Sequence, residues 1–180
     1  MKMLFLDKEK YEGLTKKAEA LRDNLEQEEK KADDAYKELA QSIIDKYKNE
    51  LQNSNALAPY WPMAPFTCYA EYLAGEVDTH FRNMNIDTKE WLGKCLDFLP
   101  KAEREALMKK IKPLASAWAK VHVKANRARK LVIDLSHIKR ALQELNAITT
   151  FFGDGEDREE VSKQINRIFD ICIGETEELK

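Results

Sequence analysis

The sequence has few of the residues that break or cross-link a chain. Five prolines and six glycines occur in 180 residues, and the prolines stand at 59, 62, 65, 100 and 113. Long tracts rich in Ala, Leu, Lys and Glu are left uninterrupted, and these residues lose little freedom on entering a helix. Cysteine is scarce too: Cys68, Cys95 and Cys172 are three in number, far apart and without a C-x-x-C pairing. That excludes a disulfide framework and a zinc knuckle and makes a reducing, cytoplasmic compartment the expectation. No apolar run approaches the roughly 20 residues of a membrane helix. The opening MKMLFLD is too short and too soon acidic for a secretion signal. Neither a membrane span nor an export signal is predicted.

Chemical motifs are equally sparse. Neither the phosphate-cradling G-x-x-x-x-G-K nor the dinucleotide G-x-G-x-x-G is present. The only histidines are His80, His122 and His137, so imidazole acid–base chemistry has few carriers. His122, four residues past Trp118, and His137, beside Ile138, are expected at the core margin. Cys95 and Cys172 fall in apolar periodicity and read as small hydrophobes. Cys68 has no base assigned to it by sequence.

What is abundant is charge. Charged residues make up 34%, above the roughly 25% of ordinary soluble chains. The net charge of −2 hides a segregation: residues 101–140 carry 12 basic and 3 acidic groups, and 141–180 carry 4 and 10.

Periodicity then supplies the elements. From near Asp7 the positions Tyr11, Leu14, Ala18, Leu21 and Leu25, then Ala32, Ala35, Leu39 and Ile43, recur at spacings of 3 and 4, with a gap in which only alanines continue the stripe. This predicts a long helix over about 7–51, with Asp33 and Asp34 as a candidate break. The prolines and aromatics of 53–66 form a loop. Shorter helices are predicted at about 67–83, at 88–98 with Asp87 as cap and Glu90 three residues on, and at 101–112 opened by Pro100. Leu114, Trp118, Val121, Ala125, Ala128, Val132, Leu135, Ile138 and Leu142 predict a second long helix over about 114–150. After Gly153 and Gly155 a last helix runs to Gly174, leaving 174–180 as a frayed acidic tail. The expected architecture is a single all-α domain, an elongated bundle with two long antiparallel helices plus shorter ones.

Two stretches are candidate binding surfaces. Lys120, Lys124 and Arg127 fall at i, i+4 and i+7 of the second long helix, off the Val121, Ala125, Ala128 seam, with Arg129 and Lys130 close by. Such a stripe can meet phosphates or an acidic protein surface, or it can be a solvated face balanced by the chain's own acidic segments. Tyr60, Trp61 and Phe66, on the proline-rich loop, either anchor an interface or fold back to plug the bundle end.

Metal chemistry has weaker support. Glu76 and His80 share a face at i, i+4, but two ligands are not a site and a surface hydrogen-bonded pair is the expectation. Glu26, Glu28, Glu29, Asp33 and Asp34 resemble a magnesium-binding run, yet Lys30 and Lys31 interleave them and a matching E-x-x-D helix is missing. In GDGED the position requiring a bidentate Glu for calcium holds Ile165. No cofactor and no metal are expected. The functional expectation is a non-enzymatic helical protein that binds a protein partner, as an adaptor or inhibitor. Nucleic-acid binding through 120–130 is the alternative, and a metal-dependent hydrolase ranks third. Self-association through the long seams, and no membrane partner, complete the reading.

Overall fold

Tracts without proline or glycine form helix. The computed structural model describes residues 8–53, 62–76, 87–152 and 157–179, and among them there is helix but no strand. The helices are α1 (Lys8–Lys46), α2 (Lys48–Asn53), α3 (Ala64–Leu73), α4 (Thr88–Cys95), α5 (Lys101–Phe152) and α6 (Asp157–Glu178). The all-α class and the long antiparallel pair, α1 with α5, stand as predicted. α1 passes Asp33 and Asp34 without a break. There Lys37 donates to Asp33 at 2.7 Å, an i, i+4 pair that ties consecutive turns. Its end comes at Lys46, earlier than 51, where Tyr47 turns the chain into α2.

Other boundaries differ from the sequence reading: α3 begins at Ala64, inside the stretch read as loop, and α4 ends at Cys95 and not at 98. Pro113 was expected to separate two helices but lies inside α5, which runs unbroken for 52 residues. Proline cannot bond the carbonyl four residues back, that of Lys109. Lys109 and Pro113 are both exposed, so water can solvate the freed carbonyl while Ile111 and Ala115 stay buried.

The helix expected over 67–83 stops at Leu73. Gly75 adopts φ +78°, its N–H bonds the Tyr72 carbonyl at 3.1 Å, and the Glu76 N–H bonds that of Glu71 at 3.0 Å. This is a Schellman ending, in which a left-handed glycine turns two orphan carbonyls inward. The remainder of that expected helix, from 77 on, lies outside the described residues. Last, α6 continues through Gly174 to Glu178. Thr176 and Leu179 are buried, so the acidic end is packed where fraying was expected.

Other local signals act as read. The Asp87 side chain caps α4 by accepting from the Lys89 N–H at 3.0 Å. Arg104 N–H bonds the Pro100 carbonyl at 3.0 Å, opening α5.

The chain groups into two compact units: residues 1–26 with 124–180, and 27–123. In the first, the terminal unit, Leu14, Ala18, Leu131, Leu135, Ile138, Ile165, Phe169 and Cys172 form one core cluster. Leu25, Ala125, Ala128 and Leu179 form a second. The Tyr11 hydroxyl donates to the Leu135 carbonyl at 2.8 Å, while Leu25 packs with Ala125 and Ala128, so α1 ascends as α5 descends. In the second, the central unit, Tyr36, Ala40, Ile43, Phe66, Trp91, Leu92, Leu96, Ile111 and Ala115 share the core.

Candidate functional site

The basic stretch divides according to what faces each cation. Lys120 is exposed in the central unit and has no ion pair among the described residues. In the terminal unit Arg127 reaches α6, with its guanidinium 2.9 Å from Glu178 and 3.9 Å from Glu175. Arg129 bonds Glu26 of α1 at 2.9 Å and Asn126 at 2.7 Å. Lys124 and Lys130 are exposed and carry no ion pair among the described residues. They flank Arg127 three residues either side, on one face of α5. Among the described residues the chain's own carboxylates thus take Arg127 and Arg129 and leave the lysines.

On α6 the partners of Arg127 belong to a stripe. Ile168, Ile171, Glu175 and Glu178 follow one another at spacings of 3, 4 and 3, so they share a face beside the buried line of Ile165, Phe169, Cys172, Thr176 and Leu179. Ile168 is 45% and Ile171 55% exposed. Because Glu175 and Glu178 reach Arg127, the acidic end of this stripe adjoins the α5 face bearing Lys124 and Lys130.

The proline-loop candidates separate as well. Tyr60 and Trp61 lie outside the described residues. Phe66 is 1% exposed, so its ring belongs to the core of the central unit rather than to an open binding surface. Its carbonyl accepts a hydrogen bond from the buried Tyr36 hydroxyl at 2.7 Å. Burial, with lesser contributions from Tyr69 and Cys68, raises the Tyr36 phenol above its ordinary range. All three cysteines are buried. Burial pushes the Cys95 thiol up to about 11, and it raises Cys172 with help from Asp134 and Glu175. Thiols held protonated are poor nucleophiles.

A charged break in the central unit was not anticipated. His122, expected only at the core margin, occupies a position in the seam between α1 and α5, four residues past Trp118. Its Nδ1 bonds Glu29 of α1 in a short contact, and its Nε2 lies 2.9 Å from Oε1 of Glu76, in the turn closing α3. The Trp118 ring stacks on the imidazole at 4.4 Å between centroids and 17° between planes. The His122 and Glu29 side chains are 16% and 14% exposed, that of Glu76 44%. Glu76 was expected to pair with His80, which lies outside the described residues.

Half of this cluster was visible as spacing. Glu29 continues the α1 stripe four residues after Leu25, and His122 stands between Trp118 and Ala125 on the α5 stripe. A polar residue on an apolar line is a signal. The third member, Glu76, carries none in sequence, because it arrives through tertiary folding.

As for metal-binding groups, Glu26, Glu29 and Asp33 face Arg129, His122 and Lys37 respectively. Among the described residues no three His, Cys, Asp or Glu converge to hold an ion, and no helix is long and apolar enough to cross a membrane. Compared with known proteins, the chain matches no family model, no curated protein and no solved structure.

Proposed function

We propose that this protein acts by binding another protein, in the manner of an adaptor or inhibitor, and that the terminal unit carries the surface. The reading rests on one observation: Lys124 and Lys130 stay exposed, with no ion pair among the described residues, on the face where Arg127 is tied to α6. Farther along α6, on the stripe that carries Glu175 and Glu178, Ile168 and Ile171 present apolar surface. Cations and exposed aliphatic side chains within one unit suit a partner segment with carboxylates flanking its own aliphatic residues. Such charge patterns set partner choice and encounter rate more than raw affinity. A nucleic-acid backbone is a poorer match, because phosphate binding scales with the number of free cations and Arg127 and Arg129 already hold carboxylates.

The experiment is capture from the native host by the tagged full-length chain, compared with K124E/K130E and I171D variants. A stoichiometric protein retained by the original chain, bound at least tenfold more weakly by K124E/K130E and lost with I171D, supports the reading. Capture indifferent to both variants, or an eluate of nucleic acid without protein, overturns it.

A further inference from the structure

Between Glu105 and Val123, where the central unit's share of α5 ends, the helix carries Lys109, Lys110, Lys112 and Lys120 and no acidic residue. Lys109, Pro113, Ala117 and Lys120 follow one another at spacings of 4, 4 and 3, and Lys112, Ser116 and Lys120 at 4 and 4. On a helix Lys109, Lys112 and Lys120 therefore border one face. It is turned away from the buried line of Ile111, Ala115 and Ala119. All four lysines are exposed and have no ion pair among the described residues. Glu105, the nearest carboxylate along the helix, faces Lys101 at 4.0 Å. Between the lysines Pro113 and Ala117 are exposed and Ser116 is half-buried, so the face holds no aromatic and no long aliphatic side chain.

We propose that this face of the central unit binds the phosphodiester backbone of duplex nucleic acid without reading its sequence. Lysine is a point charge that meets phosphate oxygens from many directions. Lys109 and Lys120 stand about 16 Å apart along the helix axis, a length over which each strand of a duplex presents about five phosphates. The objection to phosphate in the terminal unit, that carboxylates already hold the arginines, does not apply to these lysines. A protein partner fits this face poorly, because protein interfaces are depleted in lysine and anchored by aromatic, Met and Arg side chains. A single strand fits poorly too, since it is held by stacking its bases on aromatic rings. The face presents no Asn, Gln or Arg to reach a base edge, so its contacts position the duplex and carry no sequence information. This surface is independent of the one proposed for a protein partner.

The test uses the purified full chain and a labelled DNA duplex of about 20 base pairs, with binding followed by fluorescence anisotropy from about 50 to about 200 mM salt. With about three phosphates neutralised, affinity should fall on the order of fortyfold across that range. K109Q/K112Q/K120Q should flatten the salt dependence, and K109E/K112E/K120E should weaken binding at low salt by about tenfold or more. K30E/K31E/K48E changes the net charge equally, at exposed lysines of α1 and α2 in the same unit, and should cost less than about threefold. Duplexes of unrelated sequence should bind alike. The proposal is overturned by failure to retain duplex at low salt or by equal losses in the two charge-reversed variants. Tighter binding of a poly-glutamate peptide of matched charge also overturns it and assigns the face to an acidic protein.

Discussion

Tyr36 places a hydroxyl in the core of the central unit, and its single proton contributes to how stability depends on alkaline pH. Burial raises the phenol's folded-state pKa above its ordinary value of 10.0, so the folded chain holds the proton where the unfolded chain releases it. The contribution is fully present below pH 10.0 and is lost as pH rises from there toward the raised folded value. Cys95 acts with the same sign, between 9.0 and about 11. Tyr36→Phe leaves the Phe66 carbonyl without this donor and is expected to cost about 1–2 kcal/mol at neutral pH. It should also shallow the loss of stability above pH 10.0, leaving the part due to the other groups raised by burial, Cys95, Cys172 and Tyr69. Urea unfolding of both proteins at neutral and alkaline pH measures the two effects, and equal alkaline slopes would refute the assignment to Tyr36.

At the scale of the element, the sequence was legible wherever a helix end is made by its own residues. Asp87 caps α4 because its carboxylate reaches the Lys89 N–H, a purely local event. Pro113 and Gly75 misled in opposite directions for one physical reason. A helix persists or stops according to what its neighbours bury, and propensity is overridden when the packing face is long. α5 keeps Ile111, Ala115 and Ala119 buried across Pro113, and that continuity outweighs a missing backbone bond. If so, Pro113→Ala should restore the bond to the Lys109 carbonyl and stabilise the protein by about 1–3 kcal/mol, with helical content by circular dichroism unchanged. A large gain in helical signal would mean instead that proline had been breaking α5.

For the whole molecule, what sequence spacing cannot supply is register between distant elements. The stripes of α1 and α5 are each readable, including the intrusion of Glu29 and His122, but nothing local says that these two positions meet or that Glu76 joins them. The same holds for the basic helix: its cations are obvious, whereas the capture of Arg127 by Glu178 and of Arg129 by Glu26 depends on which elements fold together.

The grouping into two compact units leads to a last expectation. In the terminal unit Leu179 sits with Leu25 and with the small side chains of Ala125 and Ala128, whereas the central core holds Phe66, Trp91, Leu92, Leu96 and Ile111. Leu179→Ala removes a side chain only 2% exposed and should cost about 2–3 kcal/mol locally. That cost should fall on the last turns of α6, loosening the carboxylates of Glu175 and Glu178 from Arg127. Native-state amide exchange should then rise at residues 172–179 while the α4 amides of Trp91 to Cys95 keep their rates, because units with separate cores open separately. Equal acceleration in α4 would show that the two units unfold as one.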